Sequence, residues 1–489
     1  MHKLLFSAAL SAGLAAFAGT SPSVTGVTWT QDADTRLVTV SYTLAGAPAV
    51  VTFDFLTNGV SIGGANLTGG NVPKPQPTGD VFRLVAADGA HSFTWQPDRT
   101  WSDHVATGVI NVKAWATDNP PDYMAVSLEP TAPVRTTFYP GVEWLPGGVL
   151  SNPVYRISSV LMRRIHAGGV TWMMGDHEAV GTTALDDIPY PAQMKMHAVT
   201  LPQDYYIGVF EFTQGQGKIL GGINSSVGLF MYKERWMRPC ENDFGYHAIR
   251  EATNGAPTGA SAKAIPEHQY PNPPSPDGVL GRLRTLSGLA FDMPGEAQWE
   301  FAARGGHGDG YWPNGNEMAL YNPSNYTFNA GKTTERTIAL NTKDDGVGAR
   351  YCFDCATPGN PGASYSTAGV TNGTNVVGSY PPNGFGLYDM LGNVAEWCLD
   401  WYQDDITGLN GAVNANLGNR LDGTAANPVG RVVRGGCYSS YAFHLRPSYR
   451  QGSYANGTIL STTTYVNPYS RGGQNGLRLC CPVDVSGAR

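Results

Sequence analysis

Glycine and proline constrain the fold of this chain more than any other feature of its sequence. The chain has 61 glycines and 34 prolines, 95 of 489 residues, whereas the two together make up roughly 12% of average proteins. Neither residue is well tolerated inside long helices or strands. The sequence therefore predicts short strands, few helices and many loops. Hydrophobic residues make up 42% of the chain, which is enough to fill cores, and the length suggests two or three domains.

The charge of the chain excludes one class of partner. It has 32 basic and 39 acidic residues, a net charge of -7, and no cluster of lysines and arginines. Proteins that bind nucleic acids carry a basic face. We therefore expect no nucleic-acid partner.

The first residues have the pattern of an export signal. Lys3 precedes an apolar stretch over residues 4–17, and Ala16 to Ala18 form an A-x-A cleavage site. The stretch is too short to span a bilayer, and no later segment has 18 consecutive apolar residues. We predict a signal peptide over residues 1–18 that is cleaved near Ala18. The mature chain is then secreted, periplasmic or at the cell surface, with no transmembrane segment.

Seven cysteines follow the predicted signal peptide, and outside the cytoplasm they are able to form disulfides. An odd number leaves at least one cysteine free or paired with another molecule. Cys352 and Cys355 form a CxxC, which is more typical of a loop disulfide than of a redox or zinc site, because no second CxxC exists. The seven are Cys240, Cys352, Cys355, Cys398, Cys437, Cys480 and Cys481.

Residues 24–128 alternate β-branched or aromatic residues with polar ones, in about seven runs separated by turn residues. This pattern predicts an antiparallel β-sandwich of the immunoglobulin or fibronectin type, serving as an accessory or spacer module. Residues 129–153 contain five prolines and are predicted to form a stiff linker. Residues 154–485 are predicted to be an α+β, loop-rich domain. Its clearest helix covers residues 296–304, because Pro294 and Gly295 precede it and Gly305 ends it.

The second domain resembles the formylglycine-generating enzyme, or sulfatase-modifying factor, family, whose members have an elaborated C-type-lectin-like fold. Seven segments carry the resemblance, in order over residues 154–482. They read RIHAGGVTWMMG at 164–175, HAVTL at 197–201, YIGVFEFT at 206–213, MPGEAQWEFAARGG at 293–306, NGFGLYDMLGNVAEW at 383–397, RVVRGG at 431–436 and NGLRL at 475–479.

The resemblance implies a calcium ion at Asp389, Gly392, Val394 and Glu396. Calcium prefers six to eight hard oxygen ligands, and this run offers the Asp389 and Glu396 carboxylates and the Gly392 and Val394 carbonyls. Acidic side chains that simply face solvent are the alternative. A second family calcium site would include Asn322, but Gly369 stands where the family has an aspartate.

The resemblance also implies copper chemistry, in which two cysteines bind copper while a substrate cysteine is oxidised to formylglycine. Those cysteines lie four and nine positions after the glycine pair, where this chain has Ser440 and Leu445. A hydroxyl and an alkyl group cannot replace the two thiolates that select Cu(I). We expect that copper is not bound and that the oxidase chemistry is lost. Cys437 is expected to pair with Cys480 or Cys481, with a role as a lone copper ligand as the alternative.

An iron-dependent branch of the family uses three histidines on an added helical domain, and residues 24–150 contain no sign of such a domain. The ten histidines show no HExxH or facial-triad spacing. We therefore expect surface or core roles for four of them, His166, His177, His197 and His247.

Residues 438–470 have the composition of a recognition surface. Six Tyr, six Ser, four Thr and two Asn fill 18 of 33 positions, and such residues combine contact area with adaptable hydrogen bonding. The segment resembles the ligand-binding loop of the variable proteins of diversity-generating retroelements, although an ordinary secreted loop fits equally well. The predicted ligand is a glycan or a protein, and the arginines suit a sulfate, carboxylate or sugar. The predicted ligand-binding residues are Tyr438, Ser440, Tyr441, Arg446, Arg450 and Trp401.

Three functions follow from this sequence. The first is a secreted, calcium-stabilised binding or surface protein built on a catalytically silent formylglycine-generating-enzyme-like domain. The second is a formylglycine-generating oxidoreductase, dependent on copper or iron, with a rearranged metal site. The third is a structural assembly subunit. The fold does not decide between them.

Overall fold

A computed structural model describes the greater part of both predicted domains. The described residues are 21–69, 77–101, 107–175, 195–221, 235–241, 245–251, 266–306, 374–403, 405–415, 431–437, 445–451 and 475–489. The predicted signal peptide, Cys352 and Cys355, and Asn322 and Gly369 lie outside them.

The first part of the chain forms two antiparallel sheets from eight strands. One sheet has the order β1-β2-β7-β5, and in the other β3 pairs with β4, β6 and β8. The strands are β1 (Ser23–Gln31), β2 (Val38–Ala45), β3 (Ala49–Thr57), β4 (Val60–Ser61), β5 (Thr78–Gly79), β6 (Arg83–Val85), β7 (Gly89–Trp95) and β8 (Val109–Ala116).

Side chains from both of these sheets share one core. The Phe53 ring on β3 lies 4.7 Å from the Phe93 ring and 5.7 Å from the Trp95 ring, both on β7. Residues of β2 are buried and exposed in strict alternation, as the sequence pattern predicts for a strand with one face on a core. The sheets are therefore antiparallel and packed on a shared core, as the sequence predicts. Their assignment to the immunoglobulin or fibronectin type stays a prediction.

The next two strands cross the predicted boundaries between the sandwich, the linker and the second domain. Strand β9 (Tyr123–Ser127) and strand β10 (Thr136–Tyr139) pair within a five-stranded antiparallel sheet of order β10-β9-β11-β14-β18. Residues predicted as the end of the sandwich (24–128) and as the linker (129–153) thus form the edge of the sheet of the second part (154–485). The remaining strands of this sheet are β11 (Ser159–Ile165), β14 (Tyr205–Gly208) and β18 (Cys480–Pro482).

Two smaller sheets and short helices complete the second part. Strands β12 and β13 form a hairpin, and β15 lies between β16 and β17. The strands are β12 (Thr171–Met174), β13 (His197–Thr200), β15 (Ala395–Trp401), β16 (Arg431–Arg434) and β17 (Asn475–Gly476). The helices are α1 (Gly64–Thr68), α2 (Pro97–Thr100), α3 (Val154–Ile157), α4 (Gln214–Leu220), α5 (Tyr246–Arg250), α6 (Val279–Ser287) and α7 (Glu296–Arg304), with 3-10 turns at Val142–Trp144, Arg235–Met237 and Pro266–His268.

Helix α7 confirms the predicted helix over residues 296–304. The Gln298 side chain accepts a hydrogen bond of 2.9 Å from the Gly295 amide, and Gly305 ends the helix with a φ of 63°, which a glycine adopts without strain. Within the described residues, no helix has both the length and the apolar character needed to cross a membrane.

The predicted disulfide between Cys437 and the last strand is not formed. Cys480 and Cys481 are buried free thiols, and they lie on β18 of the five-stranded sheet. Cys437 instead follows β16 of the three-stranded sheet. The sequence identified strands for both partners but not the two different sheets to which those strands belong.

Candidate functional site

The predicted calcium segment is a tight turn that leads into β15. Three of its residues have left-handed backbone conformations: φ is 56° at Asp389, 85° at Gly392 and 60° at Asn393. The Gly392 amide donates a 2.8 Å hydrogen bond to the Gly435 carbonyl, which ties the turn to the glycine pair after β16. Glycine and asparagine adopt this conformation at the lowest cost, so the local sequence favours the turn.

Glu211 holds the centre of this turn. Its carboxylate accepts a 3.0 Å hydrogen bond from the Val394 amide and a 2.5 Å bond from the Asn393 side chain. Glu211 is only 1% exposed and follows β14 in sequence. In the sequence, Glu211 stands only within the family segment 206–213, and nothing in that pattern points to its contact with the turn.

Arg478 forms a buried ion pair with Glu396. Its Nη2 lies 2.7 Å from Oε1 of Glu396, and its Nε lies 2.9 and 3.0 Å from the two carboxylate oxygens. The Trp299 indole also donates to Glu396, at 2.5 Å. The remaining donors of Arg478 bind the carbonyls of Gly208 and Tyr388 at 2.9 and 2.8 Å. Arg478 therefore joins the turn to the five-stranded sheet.

The acids around Arg478 outnumber it. Glu211, Asp389 and Glu396 are each no more than 4% exposed. Arg478 forms an ion pair with Glu396, and the charge of Arg156 also acts on Asp389. Burial raises the pKa of Glu211 well above its usual range, and the charges of Asp389 and Glu396 add to the rise. Burial likewise raises the pKa of Asp389 to about 6, although the Gly378 amide lowers it. Three carboxyls and one guanidinium leave room for further positive charge.

A second buried network, beside the first, is balanced. Three acids face three arginines, each no more than 5% exposed. Glu300 contacts Arg304 at 2.6 Å and also Arg434, while Glu296 contacts Arg450 at 2.5 Å and Arg434 at 3.2 Å. Asp400 accepts hydrogen bonds from the amides of Glu296 and Asn414, at 2.6 and 2.8 Å. Burial, reinforced by the charge of Glu296, raises the pKa of Asp400 to about 6.

Three of the predicted ligand-binding residues lie inside the protein. Arg450 is 5% exposed and is paired with Glu296. Trp401 is 1% exposed, and the Arg431 guanidinium lies 3.6 Å from the centre of its ring. Arg446 is 5% exposed. The sequence predicted that these side chains contact a ligand, whereas the structure buries all three. Trp401 lies on β15 and faces Arg431 of the paired strand β16. Tyr438, Ser440 and Tyr441 lie outside the described residues.

Of the two positions where the family has copper-binding cysteines, the structure describes Leu445. Leu445 is fully buried in an apolar cluster that includes Met390, Cys398 and Cys480. Cys437 is 3% exposed and belongs to a different core cluster.

The histidines were expected to have surface or core roles, and two of the four can be placed. The side chain of His166 is 56% exposed and lies between Asp122 and Asp204, at 2.9 and 3.1 Å. His197 bonds the Lys195 carbonyl at 2.8 Å. His177 and the side chain of His247 lie outside the described residues. Among described residues, no three His, Cys, Asp or Glu side chains form a ready metal cage; the predicted calcium set has only two carboxylates.

Comparison with known proteins finds a family model that matches the second part of the chain. The family model for the sulfatase-modifying factor enzyme 1-like domain matches residues 165–459, more than half of the chain. The formylglycine-generating enzyme of Thermomonospora curvata is 31% identical over 163 residues, which cover 32% of this chain and 43% of that protein. The serine/threonine-protein kinase pkn1 of Chlamydia pneumoniae is 46% identical over 80 residues, which cover 16% of this chain and 12% of that protein.

These matches span less than half of each relative's length. Among solved structures, Treponema denticola variable protein 1 is 22% identical, with a TM-score of 0.39, and the match covers 66% of this chain and 95% of that one.

Proposed function

The chain belongs to the sulfatase-modifying factor enzyme family, and from that premise we propose that it is a catalytically silent member that acts outside the cytoplasm by binding a glycan or a protein. One observation carries the loss of catalysis. Where the family binds copper through two cysteines, this chain has Ser440 and Leu445, and Leu445 is fully buried among apolar side chains. Burial there supports a structural role for the position, since a copper ligand must be reached by oxygen and by the substrate thiol.

The two alternative functions have less support. An oxidase centred on Cys437 needs that thiol near solvent, and it is 3% exposed. An assembly subunit needs an open strand edge, and the edge strand β1 carries an irregularity between Thr25 and Thr28. Bulges of this kind discourage edge-to-edge pairing.

A peptide oxidation assay tests the loss of catalysis. A sulfatase-type peptide with one cysteine is incubated with the chain, copper and oxygen, and its mass is measured. We expect the thiol to stay unchanged, because Ser440 and Leu445 stand where the family has the two thiolates that bind Cu(I). The formylglycine-generating enzyme of Thermomonospora curvata serves as the positive control. Conversion of the peptide to an aldehyde by this chain, but not by its Cys437→Ser variant, would establish the rearranged oxidase instead.

Calcium binding at the turn before β15 is the second part of the proposal. Three buried carboxyls lie close together around Arg478, a divalent cation would favour their charged forms, and the hard oxygen donors suit calcium. The residues that would hold it are Asp389 and Glu396 through carboxylates and Gly392 and Val394 through carbonyls. Calcium there would fix the turn that positions the glycine pair after β16.

Calorimetric titration with calcium chloride is expected to show one bound ion per chain. Asp389→Asn should weaken binding by about tenfold or more, as ligand and supporting residues typically do at metal sites. Asp34→Asn, in an exposed turn of the first part, is the matched control and should bind as the wild type does. Equal affinities for wild type and Asp389→Asn would rule out calcium at this turn.

A further inference from the structure

A cleft of about 740 Å³ lies where the hairpin between β9 and β10 meets helix α6 and the last described residue. Three arginines line it: Arg135 from the hairpin, Arg282 from α6, and Arg489. The carbon atoms of Pro133, Pro276 and Leu286 form much of the rest of its surface. The volume is in the range of small-molecule sites, about 300–1,000 Å³.

Backbone carbonyls hold each guanidinium in place. Arg135 donates from Nη1 to the Ser127 and Glu129 carbonyls, at 2.8 and 2.6 Å. Arg282 donates to the Asp277 carbonyl at 3.1 Å, and Arg489 to the Thr285 carbonyl at 3.0 Å. A guanidinium has five N–H donors, so these bonds orient the three groups and leave donors for a ligand.

The three positive charges have no carboxylate partner in the described part of the chain. Glu129 and Asp277, the acids nearest in sequence to Arg135 and Arg282, contribute their carbonyls to these contacts. Arg284, on the same helix, differs because it pairs with Asp292 at 3.0 Å. Three like charges around one cleft repel each other, in a protein whose net charge is -7. An anion in the cleft would relieve this repulsion.

We propose that this cleft binds a small organic molecule that carries a phosphate or sulfate group. The planar forks of guanidinium groups match tetrahedral oxyanions and bind them through paired hydrogen bonds. The proline and leucine surfaces contact the carbon skeleton of the ligand. None of the lining residues belongs to the 438–470 segment, so the proposal does not rest on the ligand proposed for that segment. Because the hairpin and α6 both contribute, binding braces the edge of the five-stranded sheet against that helix.

Isothermal titration of the full chain with glucose 6-phosphate, glucose 6-sulfate and glucose tests the proposal. We expect both charged sugars to bind, more weakly at 0.5 M than at 0.05 M salt, and glucose not to bind. The tighter of the two charged sugars identifies which oxyanion the site prefers. Arg282→Met should weaken binding by about tenfold or more, the scale of a lost hydrogen bond to a charged group.

Arg36→Met, an exposed arginine in the first part of the chain, is the matched control and should leave the affinity unchanged. A second variant, Arg489→Met, keeps the test possible if Arg282→Met fails to fold. It removes only one of the hydrogen bonds described above, the bond to the Thr285 carbonyl. The proposal is overturned if neither charged sugar binds, if glucose binds as tightly as they do, or if the folded arginine variants bind as the wild type does.

Discussion

Arg478→Met is expected to lower the free energy of unfolding by about 3–5 kcal/mol, the usual cost of removing one partner from a buried ion pair. Arg478 and Glu396 are no more than 1% exposed, and Glu211 and Asp389 lie in the same acidic group. Without the guanidinium, the buried carboxyls must take up protons or draw in water. The Gly208 and Tyr388 carbonyls lose their donors as well. Urea unfolding in calcium-free buffer, followed by tryptophan fluorescence, measures the loss.

Arg83→Met provides the control for this loss. Arg83 also forms an ion pair, with Asp80, but its side chain is 35% exposed and that of Asp80 is 28% exposed. Such pairs contribute about 0–1 kcal/mol, so the control should unfold almost as the wild type does. The double variant Arg478→Met/Glu396→Gln should recover part of the loss, because the glutamine leaves one charge fewer to bury. A loss below about 1 kcal/mol for Arg478→Met would contradict the buried ion pair.

Features set by neighbouring residues were predictable from the sequence. Helix α7 begins after Pro294 and Gly295 and ends at Gly305, and each of these signals lies within two residues of the helix. The alternation in β2 is similarly local, because successive side chains of a strand point to opposite faces. The segment over residues 389–396 was located by the family resemblance, and its glycine and asparagine suit the left-handed backbone that it adopts.

Features that depend on distant partners were not predictable from one sequence. Strand β9 pairs with β11 rather than with the first two sheets, and no local pattern specifies that choice. Glu211 reaches Val394 across 183 positions, and Arg478 reaches Glu396 across 82. Both residues lie within segments that carry the family resemblance, and the available signal was a charged residue within a largely apolar segment. Their partners depend on how the sheets assemble.

The expectation for Arg450 and Trp401 shows a related difficulty. Arginine and tryptophan are common in binding sites, and composition alone favoured a ligand cleft for these two residues. In the structure, Arg450 is paired with Glu296 and Trp401 packs against Arg431. The same side-chain chemistry that recognises a ligand thus fills an internal site here.

Glu296→Gln is expected to cost about 3–5 kcal/mol, because the substitution leaves the three buried arginines of the second network with two acids. Glu296 is 2% exposed and contacts both Arg450 and Arg434. Glutamine keeps the shape and one acceptor, so the loss reports mainly on charge. Asp400 then supplies much of the remaining compensation, and we expect its pKa to fall once the neighbouring negative charge is gone.

Urea unfolding of Glu296→Gln, Arg450→Met and the double variant measures how strongly the two residues are coupled. Because they are in contact, the double variant should lose less than the sum of the single losses, by about 0.5–3 kcal/mol. Glu143→Gln, at an exposed position, is the matched control and should stay within about 0.5 kcal/mol of the wild type. Additive losses would mean that Glu296 and Arg450 act independently. That result would contradict the ion pair between them, on which the balanced network depends.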